Sequence, residues 1–564
     1  MTFLANLNWL PTQALMKRVG GVKALFDTSF GSGSVAGFSL RVLSKDMVGQ
    51  PVVKVRRSVD DVEQDILLTK DGLDEDALLD FVVPNTLPGE VSGLTAGFSL
   101  RNLSEDYTGA VVKVRRGSDD AEQDFTAAEV SDGTLTTFTG SGDGFVTVWY
   151  NQGSGDDAVQ GSATAQPKII NNGSLILERG RPIIDFDGVD DYLSFSDAAY
   201  SSFASVFTVA TRIAGNQYQR FLNIHNGSSN LQLTDRESDL MTQDRRVQDD
   251  NDALVWINDM SGLNLISAFF GSSGTSLFNN GDEKTVIDDH RIAGGDDNLS
   301  TIGIRSDLAT ATCCSYNFNE ILIYDVDKSS ERLAIDNNLN EYYDIYTPSN
   351  DGFVTTWYDQ SGNGKNLIQA TASRQPTIVS NGSIITSSGR PSIFFDRDLS
   401  NNLQANFTAL SNANGVGMYV VVDSEEGAIG VSRTIALYGT ASGGFANNSD
   451  IGCIFHISGS GNQYDFYTAN SSFVKVKDIS TSKEIIGGFY NKNEGVVKSY
   501  DRGVVQNTAN RSTDVIGQGR IIIGSARSGN TFNYEGNISE LILYLGDLAD
   551  NSVKIQENQE EYYG

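Results

Sequence analysis

The decapeptide DGFVTVWYNQ at 143–152 returns as DGFVTTWYDQ at 351–360. Each copy is a short run of β-branched and aromatic residues closed by an Asn/Asp turn, the composition of a strand and its exit. The echo runs on through ATAQPKIINNGS (163–174) and TASRQPTIVSNGS (371–383), GRPIIDFDG (180–188) and GRPSIFFDR (389–397), NEILIYD (319–325) and SELILYL (539–545), and EYYD (341–344) and EYYG (561–564). Two modules of similar length follow, at 143–346 and 350–564, with the turn-forming Thr347-Pro348-Ser349-Asn350 between them.

A second, shorter repeat lies upstream. GFSLR occurs at 37–41 and 97–101, and VVKVRRSVDDVEQD (52–65) reappears as VVKVRRGSDDAEQD (111–124). The chain therefore reads as an N-terminal anchoring segment (1–35), a first SLR/KVRR repeat (36–94), a second repeat packed on the first sandwich (95–142), and the two modules. The first repeat is either a spacer or part of the first sandwich. Strand-like runs such as PKII, YLSF, FTVAT, STIGI and EILIY are separated by Gly, Asn, Asp and Ser with no interleaved helical period. That pattern is all-β, a pair of tandem concanavalin-A-like jelly-roll sandwiches behind a small repeated region. Short helices are expected at 73–82, 328–343 and 551–563.

Bulk chemistry narrows the function. Of 564 residues, 41 are basic and 72 acidic, a net charge of −31 that repels phosphate backbones and excludes nucleic acid as a partner. No stretch approaches the roughly 20 apolar residues of a membrane helix, and the opening MTFLANLNWLPTQALMKRVGG gathers no signal-peptide core. Three cysteines and three histidines build neither a disulfide framework nor a His metal centre. Cys313 and Cys314 are adjacent and suit either a vicinal disulfide or two thiols, and Cys453 reads as strand core.

Candidate sites follow from residue type. Trp149, Tyr150, Trp357 and Tyr358, with Asp359 and Asn363 in the turn beyond, could stack on and hydrogen-bond a sugar. Strict alternation along FVTVWY would put Phe145, Thr147 and Trp149 on one face and Val146, Val148 and Tyr150 on the other, so one of each Trp-Tyr pair belongs to the core. Asp185, Asp187, Asp190 and Asp191 crowd into one stretch of hard oxygen ligands, which suits calcium, the one cofactor the sequence offers. Arg56-Arg57 and Arg115-Arg116 stand beside Asp-Asp pairs, as for internal ion pairing.

The string VKVRRGSDD, then QDF, then WYDQSGNG resembles the opening of the catalytic sandwich of fungal α-L-arabinofuranosidases. The ending IIIGSARSGNTFNYEGNISELILY (521–544) is similar to the last strands of concanavalin-A-like and laminin-G-like jelly rolls. In the glycosidases the resemblance implies a nucleophilic Glu in a His-Met-Glu segment and an acid/base Asp. Neither module has that Glu segment; Asp307 falls near the acid/base position in the first module, and the second has no acid there. A retaining glycosidase needs both carboxylates, so the resemblance implies a scaffold without the chemistry. The combination of SLR, VRR and WYDQSGNG units also resembles fibre and adhesin proteins of marine phages and bacteria. The resulting expectation is a phage virion protein, whether fibre, appendage or capsid decoration. It would dock to other virion proteins through its N-terminal segment, reach host-surface polysaccharide through lectin-like modules, and assemble as a homo-oligomer such as a trimer. An arabinofuranosidase-type hydrolase and a bacterial surface adhesin are the rival readings.

Overall fold

The computed structural model describes residues 23–29, 34–196, 204–214, 218–225, 230–236, 245–248, 254–257, 262–271, 274–284, 299–304, 308–310, 313–348, 350–407, 415–424, 433–439, 451–458, 463–468, 472–479, 482–491, 493–510, 519–525, 532–545 and 550–564. Most of the segment read as an anchor, and the candidate Asp307, lie outside these residues. Two compact units emerge, one formed by Val83–Pro348 and the other by the chain on either side of it. They are called here the inserted and the host unit.

Each unit is an antiparallel β-sandwich. In the inserted unit the strand Ser315–Tyr324 lies between Leu94–Ser99 and Ala204–Ala214, and the latter pairs onward to Leu263–Gly271 and Gly274–Asn279. A second run joins Glu122–Thr126, Ala110–Arg116, Gly144–Trp149 and Lys168–Asn171. The host unit repeats the plan. Gly536–Leu545 lies between Ser34–Ser39 and Gly415–Ser424, and Glu63–Thr69, Pro51–Arg57, Gly352–Trp357 and Thr377–Ser380 run side by side. Register is conserved between the two: Ser39 faces Glu540 as Ser99 faces Glu320, and Val53 faces Trp357 as Val112 faces Trp149.

This pairing reassigns the first SLR/KVRR repeat. It is neither a spacer nor part of the first sandwich; its strands pair with the second module, while the second repeat pairs with the first module. The physical reason is edge satisfaction. A module lacking its repeat would leave the Glu320 or Glu540 strand, and the Trp strand, with an open edge.

Helices stand close to where the sequence places them, at Glu75–Val82, Arg332–Tyr343 and Ser552–Tyr563. Ile335, Leu339 and Tyr343, spaced four apart, bury one face of their helix on Phe207, Val209, Leu263, Leu265 and Leu322. Among the described residues no helix is long and apolar enough to cross a membrane.

The repeated motifs are the joints of each sandwich. Glu540 accepts Arg41 Nε at 2.7 Å and Nη2 at 3.0 Å, and also Ser39 Oγ at 2.8 Å. Glu320 accepts the same three groups from Arg101 and Ser99 at 2.8, 3.1 and 2.9 Å. The Tyr343 hydroxyl completes the second set. Burial opposes the charge on Arg101, but Glu320 outweighs it and holds the guanidinium pKa above its ordinary value. The Gln of each WY(N/D)Q motif clamps the SLR strand: Gln360 accepts Leu43 N and donates to the Ser39 and Arg41 carbonyls, as Gln152 does with Leu103, Ser99 and Arg101.

Candidate functional site

Trp149 and Trp357 are fully buried. Trp149 packs on Phe98 and Trp357 on Phe38, with ring centroids 5.8 and 6.1 Å apart, so neither offers a face to a sugar. Strict alternation fails because Val114 pairs with Val146 and Lys113 with Val148, leaving Thr147 as a bulge. Val146 and Trp149 thereby both turn inward, while Phe145 and Val148 are half-buried. The host strand bulges at Thr355 in the same way.

The rest of that predicted sugar site is committed to the fold. The Tyr150 and Tyr358 hydroxyls donate to Asp124 and Asp65 at 2.7 and 2.6 Å. Burial and those carboxylates push both phenol pKa values up. Asp359 is buried; its Oδ1 accepts Gly37 N and Ser361 N, each at 2.9 Å, and its Oδ2 accepts Lys365 N at 3.0 Å. Exposed Asn363 donates to the Ser34 and Val35 carbonyls, both at 3.1 Å. The arginine pairs are also internal. Arg57 and Arg116 fork onto Asp60 and Asp119, and Arg56 and Arg115 reach Gln375 and Gln166.

Of the four clustered aspartates, Asp187, Asp190 and Asp191 bring one carboxylate oxygen each within 4.8 Å of the others, while Asp185 is not part of the group. Three carboxylates can hold one divalent cation, though calcium takes more oxygens than these. The local hydrogen bonds describe a turn. Asp187 Oδ1 accepts Val189 N at 2.7 Å, and Asp191 Oδ2 accepts Asp187 N at 3.0 Å. In the host unit Asn401 Oδ1 accepts Asp396 N at 2.8 Å, so a neutral amide does there what Asp191 does here. Burial, then the neighbouring acids, push Asp191 up to about 7 against the one backbone hydrogen bond. The three cysteines are buried and none is in a disulfide.

The sequence reading missed a groove on the inserted unit. Thr126 and Glu129 form a capping box that starts the helical turn Ala127–Ser131. Gly133, at φ 96°, reverses the chain into Thr134–Thr139. Between this corner and the strand Glu122–Thr126 lies an open groove of about 420 Å³, lined by Gln123, Asp132, Gly133, Thr134, Thr137 and Phe138. Asp132 Oδ1 accepts Thr134 N at 2.9 Å. Hydrogen bonds from the Thr134 side chain and backbone hold the carboxyl below its usual range, so it stays ionised. Arg116 lies 4.7 Å from the Phe138 ring centroid, and Phe125 supports the ring at 5.5 Å. The only trace in the sequence is a lone Phe within SDGTLTTFTG (131–140), a composition that reads as a loop.

Neither a protein-family description nor a curated protein matches the chain. Among solved structures, a GH54 α-L-arabinofuranosidase soaked with a cyclic sulfate inhibitor is similar over 82% of this chain and 95% of its own, at 12% identity and a TM-score of 0.34. The CBM40 of a Ruminococcus gnavus IT-sialidase, bound to α2,3-sialyllactose, covers 26% of this chain and 83% of its own, at 11% identity and a TM-score of 0.22. A heptameric SAP-like pentraxin from Limulus polyphemus covers 28% and 73%, at 14% identity and a TM-score of 0.21. Similarity this distant assigns no ligand and no reaction to this chain.

Proposed function

We propose that the chain is a carbohydrate-binding protein whose contact with sugar is the groove beside Phe138. The groove itself carries the reading. A sugar ring has an apolar C–H face and a rim of hydroxyls, and the groove matches both. Phe138 supplies an apolar wall, Asp132 a fixed acceptor, and Gln123 and Thr134 neutral donors and acceptors. In the same reading the protein belongs to a phage particle, as fibre, appendage or capsid decoration. There it meets host-surface polysaccharide, with several copies adding avidity. The motive for that placement is the resemblance of its SLR, VRR and WYDQSGNG units to fibre and adhesin proteins of marine phages and bacteria.

Calorimetry against a panel of neutral and acidic oligosaccharides tests the groove. A ligand should be found, and Asp132→Ala or Gln123→Ala, at two solvent-facing positions, should weaken it about tenfold. Unchanged affinity in both variants would rule the groove out. Mass spectrometry of density-purified particles from the source culture tests the virion placement: stoichiometric copies support it, and absence from particles removes it.

A further inference from the structure

In the host unit, besides Arg41, which pairs with Glu540, two cations meet the Tyr562–Tyr563 pair near the end of the helix Ser552–Tyr563. Lys483, only 4% exposed, holds its Nζ 5.0 Å from the Tyr563 ring centroid. Arg390, exposed at the start of the short strand Arg390–Pro391, holds its Cζ 4.5 Å from the Tyr562 centroid. The two rings meet edge to face with centroids 4.7 Å apart. Among the described residues the Lys483 ammonium has no hydrogen-bond acceptor, and neither cation has an ion-pair partner. Nearby acids are engaged elsewhere, Glu540 with Arg41 and Glu560 with Arg502, while Asp423, which accepts the Ser387 hydroxyl, acts on Lys483 through its charge without pairing to it. Glu75 feels the charge of Arg390 without pairing to it. A buried ammonium without an acceptor is costly.

The inserted unit shows what the fold alone requires at these positions. Val421 faces Ile485 as Val209 faces Leu265, so Lys483 corresponds to Leu263, a core residue. Arg390 corresponds to Arg181, which lies 4.0 Å from the Tyr342 ring and donates Nε to the Tyr342 carbonyl at 2.9 Å. One copy therefore has a satisfied arginine beside a leucine. The other has an exposed arginine with no ion-pair partner among the described residues, beside a buried lysine, in a chain of net charge −31. Burial, and then the charge of Arg390, lower the Lys483 ammonium to about 8. It still carries a positive charge at neutral pH.

We infer that Lys483 and Arg390 form a binding site for one small oxyanion, a sulfate or carboxylate group, seated against Tyr562 and Tyr563. The guanidinium offers a planar fork and the ammonium a point charge, a combination that suits such groups. The site stands on a different unit from the groove and does not depend on it.

Thermal melting and calorimetry of the intact chain test the inference, with sodium sulfate against sodium chloride at matched ionic strength. Sulfate should raise the melting midpoint several degrees beyond chloride. Lys483→Leu, which installs the residue of the other copy, and Arg390→Gln should each weaken sulfate binding at least tenfold while melting cooperatively in chloride. A sulfated galactan tetrasaccharide distinguishes the source: tighter binding than free sulfate points to a polymer substituent, equal binding to the free anion. A sulfate effect no larger than that of chloride, or one equal in wild type and Lys483→Leu, would overturn the inference.

Discussion

Asp191 and Asn401 occupy matching turns and accept matching backbone N–H groups, yet only Asp191 carries a burial-raised carboxyl. With a folded value of about 7 against about 4 in the unfolded chain, the folded state retains a proton that the unfolded state releases between those values. Stability is therefore fullest below about pH 4 and falls as pH rises through about 7. In EDTA, Asp191→Asn should melt several degrees above wild type at pH 8 and level with it at pH 4. An equal shift at both pH values would contradict this. The buried Arg101–Glu320 pair tests the other sign of charge. Glu320→Leu strands a buried guanidinium and should cost the inserted unit about 3–5 kcal/mol in urea unfolding. The surface arginine pairs were legible in the sequence because their acids lie three to five residues away. Glu320 and Glu540 were not, because their arginines lie 219 and 499 residues distant.

At the scale of elements, strand identity was readable and facing was not. FVTVWY is a strand as its composition requires and one member of each Trp-Tyr pair is core as expected, but one bulged threonine shifts the alternation, so Trp149 shares the inward side with Val146 and not with Phe145. Bulges depend on the partner strand, which no local pattern reveals. The WY(N/D)Q turn was likewise recognised as a turn, while its work as a clamp on a strand more than 300 residues away in the host unit was invisible. Gln360→Leu abandons a buried N–H and two carbonyls and should destabilise the host unit by about 3 kcal/mol or more. Gln360→Glu sets a buried carboxylate oxygen against those two carbonyls and should cost at least as much at neutral pH. A loss near zero in either variant would contradict the clamp. The groove was illegible for a related reason: its walls come from a strand and a helical corner that only the fold brings together.

The whole molecule is two copies of one sandwich, the second interrupting the first. The host chain runs from the helix Glu75–Val82 into the inserted unit and resumes at the strand Gly352–Trp357. In the inserted unit the equivalent step, from the helical turn Thr134–Thr139 to Gly144–Trp149, takes only a few residues. The repeats were plain in the sequence, but tandem order was the natural reading because the modules follow one another along the chain. Nesting follows from hydrogen-bond register between segments that the insertion separates. The decisive comparison is urea unfolding of two isolated fragments, residues 83–348 and residues 143–346. The longer fragment contains Leu94–Ser99 and Ala110–Arg116, the strands that pair with Ser315–Tyr324 and Gly144–Trp149. It should unfold in one cooperative transition with native near-UV dichroism, and the shorter fragment should show neither. A shorter fragment that folds with the same midpoint would contradict the nested sandwich.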